Sequence, residues 1–199
     1  MCFGRKHCQR KYEPIDNNYC GGFALNAVLA ELGQPNDPMA VYNKIQQYQK
    51  TNVLCNPRSF GYEFLQQSYP AGNNTYMSLP SGICAAFKES LTSRTVTVYY
   101  TTEFGSSPMF GALIGEESGR ITALGIHVEV FDGDLPTIDQ SYVLVLVNDC
   151  HWIAVKNETT SFTCYDPDSG NATTASSMEA AIKGHPRITV VNGLYICIV

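Results

Sequence analysis

The chain has 199 residues, of which 44% are hydrophobic and 16% charged, with a formal net charge of −5 and a sequence pI near 5.3. This composition is typical of a soluble globular protein and predicts one domain rather than several. The acidic balance argues against a general nucleic-acid or anionic-membrane binder, because both partners are negatively charged.

The sequence predicts no membrane span and no cleavable signal. The N-terminal segment 1–14 is polar, whereas a secretory signal needs an apolar core of about 7–15 residues. No run of about 18 apolar residues is present. We therefore expect the protein to be cytoplasmic, or exported without a cleavable signal, as a translocated effector in a host cell would be.

Eight cysteines are present, at positions 2, 8, 20, 55, 84, 150, 164 and 197. Several lie within apolar patterns, and a chain of this length does not need disulfides to stabilise its core, so we expect reduced and mostly buried thiols. Cys2, His7 and Cys8 lack the paired spacing of a structural zinc site. The sequence thus predicts no metal and no cofactor.

A helix with a defined start and end is predicted over residues 17–33. Asn17 or Asn18 is suited to cap its N-terminus. Gly33, followed by Gln34 and Pro35, is suited to end it. The segment is apolar on almost every side, which is typical of a buried central helix.

The rest of the chain predicts helices first and strands second. Further helices are expected near 39–50, 62–68 and 83–90, strands near 94–100, 125–131, 142–148, 151–156 and 161–165, a helix near 176–183, and one or two strands within 188–199; residues 110–114 fit either type. We therefore predict an α+β fold, with a helical part over about 15–92 and a mostly antiparallel sheet over about 93–199.

Cys20 lies in the first turn of the predicted central helix. The helix dipole favours an anion there, which lowers the pKa of a thiol and makes it a nucleophile. The alternative is that Cys20 is a small buried hydrophobic residue, the usual position of an unpaired cysteine.

His151 is the best candidate for a catalytic partner. The other three histidines lie in a polar tail, a strand and a turn before proline, at positions 7, 127 and 185. A four-residue hairpin loop at 157–160 would pair Lys156 with Ser161, and therefore His151 with Asp166. The alternative for Asp166 is a turn former before a proline. Asp168 falls outside this pairing, and we expect it to be dispensable.

A cysteine at a helix start, a histidine and an aspartate form the set used in acyl-transfer catalysis. Cys20 would be the nucleophile, His151 the base, and Asp166 the group that orients the imidazole. The backbone N–H of Cys20 and an upstream side-chain donor would stabilise the oxyanion.

Three segments carry a family resemblance: Asn-Asn-Tyr-Cys-Gly-Gly-Phe at the start of the helix, His-Trp-Ile-Ala-Val from His151, and Tyr-Asp-Pro-Asp-Ser-Gly over 165–170. They resemble the papain-like cysteine peptidase superfamily, in particular the double-glycine leader peptidase-like branch. They are also similar to papain-like glutamine deamidases among bacterial effectors and toxins. The resemblance implies a papain-like hydrolase domain over 1–199, with substrate contacts at Trp152 and Gly21.

The sequence departs from the family at the oxyanion donor. Papain-like peptidases place a glutamine about six residues before the nucleophile, where this chain has Pro14. Asn17, Asn18 and the more distant Gln9 are the replacement candidates.

The resemblance implies cleavage of a peptide or isopeptide bond in a protein or peptide substrate. The alternative is deamidation of a glutamine side chain in a target protein, as in bacterial virulence effectors. A third possibility, from another class, is a catalytically inactive binding module on the same fold.

Overall fold

The computed structural model describes residues 18–34, 37–67, 75–133, 135 and 139–199. Within these ranges the elements are, in chain order, α1 Cys20–Glu31, α2 Pro38–Asn52, α3 Phe60–Gln67, α4 Pro80–Ser90, β1 Val96–Thr101, α5 Thr102–Ser106, α6 Pro108–Ala123, β2 His127–Phe131, β3 Tyr142–Val147, β4 His151–Glu158, β5 Ser161–Asp166, β6 Asn171–Ala175, α7 Met178–Lys183 and β7 Val191–Ile198.

The strands form one sheet of seven in the order β2-β1-β7-β3-β4-β5-β6. Strands β1 and β2 pair in parallel, and the other neighbours pair antiparallel. The predicted α+β class with a mostly antiparallel C-terminal sheet is confirmed.

Each face of the sheet supports its own core, because successive side chains of a strand point to opposite faces. Helix α1 packs on the face that carries Leu144, Leu146, Trp152, Ala154 and Tyr165. Helix α7 packs on the opposite face, which carries Val143, Val145, Ile153, Val155 and Cys164. Both faces of β3 and β4 are therefore apolar and buried.

Helix α1 begins without a side-chain cap. Its N-cap residue is Tyr19, which makes no side-chain hydrogen bond to the helix, and Asn18 lies one position before it, with its amide Nδ2 donating to the carbonyl of Thr75 (2.9 Å). The capping prediction for Asn18 is therefore wrong, and Asn17 lies outside the described residues.

The end of α1 agrees with the sequence. Gly33 has φ +79°, and the N–H of Gln34 donates to the carbonyl of Leu29 (2.8 Å), as in a Schellman closure. A left-handed residue is required at that point, which explains the glycine.

Helix α6 is the main element that the sequence did not predict, because Gly111, Gly115 and Gly119 weaken its helical propensity. Packing outweighs propensity here. The buried residues recur at helical spacing, as Phe110, Leu113, Ile114, Glu117 and Ile121. Strand β6 was likewise not predicted, and β3 ends one residue before Asn148.

The hairpin of β4 and β5 has a different register from the predicted one. Glu158 pairs with Ser161 across a two-residue turn, and Lys156 pairs with Thr163. The predicted pairing of Lys156 with Ser161 is therefore wrong by two residues. A shift of two residues keeps every side chain on its predicted face, since the pleat has a period of two.

Within the described ranges, each helix is either too short or too polar to cross a bilayer.

The two glycines after Cys20 allow close approach at the start of α1. A Cβ on Gly21 would overlap the side chain of Ser78. A Cβ on Gly22 would lie 2.5 Å from Cβ and 2.8 Å from Cα of Tyr42 in α2. The backbone of Tyr42 cannot move without displacing α2, so α1 and α2 would have to separate.

We therefore expect Gly22→Ala to destabilise the protein by about 1–3 kcal/mol through overpacking, as measured by urea denaturation. Gly115→Ala is the matched control, because α6 leaves open space at that position. It should be neutral or stabilising by about 0.5–1 kcal/mol. Equal effects of the two substitutions would contradict the close-packing account.

Candidate active site

Cys20 is the first residue of α1 and is 7% exposed. The first hydrogen bond of the helix runs from the N–H of Phe23 to the carbonyl of Tyr19 (3.1 Å). The N–H groups of Cys20 and the two glycines that follow therefore precede the helical ladder, at the positive end of the helix dipole. The thiol Sγ itself donates to the carbonyl of Cys150 (3.7 Å).

A tight turn between β3 and β4 positions His151 as the first residue of β4. Asn148 and Asp149 have φ values of 49° and 65°, and the N–H of Cys150 donates to the carbonyl of Val147 (3.3 Å). Two consecutive left-handed residues define a type I′ turn, which asparagine and aspartate tolerate best. Cys150 is thus an exposed turn residue.

His151 and Asp166 lie in direct contact. Nε2 of His151 is 2.8 Å from Oδ1 of Asp166. A carboxylate accepts, so Nε2 carries the proton and Nδ1 is left for the other side of the ring. The side chains are 13% and 3% exposed, respectively. The contact predicted from the sequence is present even though the register that led to it is wrong.

The side chain of Cys20 also interacts with the imidazole of His151. Burial by itself lowers the pKa of His151, but hydrogen bonds with Asp166 and with the Cys20 side chain outweigh it and raise that pKa well above its ordinary value.

Asp166 shows the complementary shift. Burial raises its pKa, but the hydrogen bond and the positive charge of His151 outweigh burial and lower it. A raised pKa on the base and a lowered pKa on the acid both describe an imidazolium–carboxylate pair.

Asp168 is closer to His151 than the sequence predicted. Its Oδ2 lies 3.8 Å from Nδ1 of His151, and its N–H donates to Oδ1 of Asp166 (3.0 Å). The observed register explains this position, because its extension beyond the Ala154–Tyr165 pair would bring His151 opposite Asp168.

His185 is a second residue that the sequence did not identify. It is 2% exposed, and its Nδ1 lies 3.9 Å from Oδ2 of Asp166. Its Nε2 donates to the carbonyl of Cys164 (3.2 Å). Two histidines thus flank the Asp166 carboxylate. Only the fold could show this, since His185 precedes a proline in a segment with a loop-like sequence.

The predicted substrate contacts at Trp152 and Gly21 are both buried. Trp152 is fully buried, and its indole N–H donates to the carbonyl of Ser78 (2.8 Å). Gly21 packs against the same serine. Their positions give these residues a packing role beneath the site, rather than a surface that a substrate can touch.

Of the three oxyanion-donor candidates, Asn18 lies within the described residues. Gln9 and Asn17 lie outside the described residues. Asn18 is partly buried and precedes Cys20 by two positions, with its amide held by the Thr75 carbonyl.

Six cysteines lie within the described residues, and all six are free thiols. Burial raises the pKa of Cys84, Cys164 and Cys197. At Cys150, burial and the neighbouring Cys20 raise the pKa. These four thiols therefore stay protonated at neutral pH.

The ligand atoms of His151, Asp166 and Asp168 all lie within 4.8 Å of one another, a spacing that a divalent cation can bridge. Two of these atoms already satisfy each other in the Nε2–Oδ1 hydrogen bond. We therefore interpret the group as a hydrogen-bonded network around the imidazole.

The two pKa shifts predict how stability depends on pH. The pKa of Asp166 is lower in the folded protein than in the unfolded chain. Asp166 therefore stabilises the fold at pH values above its unfolded-state pKa, and this contribution is lost as the pH falls through its folded-state pKa. The pKa of His151 is higher in the folded protein than in the unfolded chain. His151 therefore stabilises the fold fully below about pH 6.5, and this contribution is lost as the pH rises through its folded-state pKa.

We expect Asp166→Asn to cost about 1.5–3 kcal/mol of unfolding free energy near pH 5.5, where both groups are charged, and less towards about pH 3 and pH 9. Urea denaturation across this range measures the difference. Asp132→Asn, at an exposed carboxylate beyond β2, is the control. A cost that does not vary with pH would contradict the ion pair.

No protein-family model matches the chain, and no curated protein matches it in sequence. Among solved structures, the chain is similar to the peptidase domain of Streptococcus ComA, a bi-functional ABC transporter involved in a quorum-sensing pathway. The two share 16% identity over 94% of each chain, with a TM-score of 0.46. At that identity and score the likeness concerns the fold alone.

Proposed function

We propose that the protein is a cysteine hydrolase that cleaves a peptide or isopeptide bond in a protein or peptide substrate. The observation that carries this is the hydrogen bond of His151 to Asp166 through Nε2, together with the interaction of its ring with the Cys20 side chain. This leaves Nδ1 of His151 for the proton of Cys20. This is the nucleophile, base and orienter arrangement of acyl transfer.

In the reactive form the proton of the Cys20 thiol has passed to Nδ1 of His151, and in the first step the resulting thiolate attacks the substrate carbonyl. The C–N bond then breaks, and the imidazolium returns its proton to the leaving nitrogen. This produces a thioester on Cys20 and a free amine.

In the second step water attacks the thioester. His151 accepts a proton from the water, the C–S bond breaks, and the sulfur leaves as the thiolate that pairs again with the imidazolium. The products are a carboxylic acid and the restored enzyme. Asp166 holds the ring in the tautomer with hydrogen on Nε2 in both steps and stabilises the imidazolium.

The oxyanion of each tetrahedral intermediate needs donors beside the sulfur. The N–H of Cys20 is one such donor, because it precedes the helical ladder of α1. We propose the amide of Asn18 as the second, since it lies two positions before Cys20 in the chain. It would replace the glutamine for which this chain has Pro14.

Intact-mass analysis of candidate protein substrates after incubation tests the reaction type. Fragments establish hydrolysis of the main chain or of an isopeptide bond. A gain of about one dalton would instead establish glutamine deamidation, which uses the same thioester chemistry. Masses unchanged across a broad set of proteins, together with an unreactive Cys20, would favour the inactive binding module.

Cys20→Ala should abolish turnover while the melting temperature changes little, since the substitution removes only a sulfur at a helix start. Cys150→Ala is the matched control, because it keeps the backbone carbonyl that accepts from the Cys20 thiol. It should retain most activity. Loss of activity in Cys150→Ala but not in Cys20→Ala would show that the wrong nucleophile has been assigned.

At neutral pH we expect iodoacetamide to alkylate Cys20 at least about tenfold faster than Cys55, as followed by peptide mass spectrometry. Cys55 is exposed and Cys20 is 7% exposed, so accessibility alone predicts the reverse order. A faster reaction at Cys55 would mean that Cys20 is not activated.

Substitution of Asp166 should lower turnover in a graded way. Asp166→Asn keeps a hydrogen bond to the ring but not the negative charge, and we expect a loss of about tenfold to a hundredfold. Asp166→Ala removes both and should cost more. Near-normal turnover in Asp166→Ala would show that Asp166 only shapes the turn and does not orient His151.

A further inference from the structure

Asp168 is an exposed carboxylate beside the imidazole nitrogen that carries out proton transfer in the proposed reaction. Its side chain is 58% exposed, and Oδ2 lies 3.8 Å from Nδ1 of His151. Among the ion pairs of the described residues, His151 is its counterpart, and no lysine or arginine neutralises it. One imidazolium thus faces two carboxylates, Asp166 and Asp168, and this edge of the site is negative in balance.

The local backbone holds this carboxylate in place. The N–H of Asp168 donates to Oδ1 of Asp166 (3.0 Å), and the N–H of Gly170 donates to the carbonyl of Asp166 (2.9 Å). Gly170 has φ +63°, which closes the turn into β6. The residue that orients His151 thus also fixes the position of Asp168.

The chemistry identifies which part of a substrate meets Asp168. The leaving nitrogen receives its proton from Nδ1 of His151, so it must come within about 3 Å of that atom. Oδ2 of Asp168 lies 3.8 Å from the same ring nitrogen, Nδ1. The carboxylate therefore borders the space of the leaving group.

Asp149 is a second exposed carboxylate, in the turn that precedes β4, and it accepts from the side-chain amide of Asn192. A cation that approaches the carboxylate of Asp168 is attracted to it, and an anion is repelled.

We propose that Asp168 is a specificity-determining residue, which makes the site select substrates with a positively charged group on the leaving-group side of the scissile bond. This inference rests on the proposed function. The substrate class is a protein or peptide whose leaving part carries a lysine, an arginine or a free amine close to the cleaved bond. Asp168 takes no part in bond making or breaking.

Charge-matched thiol reagents test the proposal without a known substrate. Three methanethiosulfonates are compared on the full chain: the 2-aminoethyl reagent is cationic, the methyl reagent neutral and the 2-sulfonatoethyl reagent anionic. The modification rate of Cys20 is measured for each by quenching and peptide mass spectrometry. The cationic and anionic rates are divided by the neutral rate, which cancels changes in the intrinsic reactivity of the thiol.

In the wild-type protein we expect the cationic reagent to be preferred over the anionic one. Asp168→Asn should reduce that preference about three- to tenfold, Asp168→Lys should reverse it, and about 1 M salt should weaken it in the wild type. The control Asp132→Asn, at the far edge of the sheet, should leave it unchanged. Because the Asp168 side chain is exposed and only its backbone holds the turn, both variants should fold normally.

A preference unchanged in both Asp168 variants overturns the proposal while leaving the proposed function intact, provided that Cys20 remains the fastest thiol. A Cys20 that reacts no faster than Cys55 with the neutral reagent overturns the proposed function and this inference with it.

Discussion

The candidate site depends on how closely the first turn of α1 approaches its neighbours. Gly21 and Gly22 allow contact with Ser78 and with the backbone of Tyr42. Any side chain at these positions would move the start of the helix outward, and Cys20 with it. The two glycines after the cysteine are therefore explained by packing, and catalysis depends on them only through the position that they give to the thiol.

Asp166 joins the two strands that make the rest of the site. Its carboxylate accepts from Nε2 of His151 and from the N–H of Asp168, and it lies near the buried His185. Its carbonyl accepts from Gly170. One buried carboxylate thus fixes the orientation of the base and the turn that follows, so the ring and the edge of the site cannot move independently.

The sequence predicted the central helix, the fold class and the contact of His151 with Asp166. These follow from the spacing of apolar residues and from the alternation of strand side chains between the two faces of the sheet, and both are local properties of the sequence. The register was wrong, since nothing local distinguishes a two-residue turn from a four-residue loop over 157–160. Helix α6 was not predicted because its packing overrides glycine propensity. The positions of Asp168 and His185 depend on the register and the tertiary fold, so they could not be predicted.

The central claim is that Cys20 and His151 form one coupled pair. Coupling is reciprocal, so removal of the thiol must change the titration of the imidazole. Nitrogen-15 NMR of the His151 ring in the wild type and in Cys20→Ala measures this directly. The account predicts that the pKa of His151 falls in Cys20→Ala, because a hydrogen bond and a negative charge that raise it are lost. An unchanged pKa would contradict it.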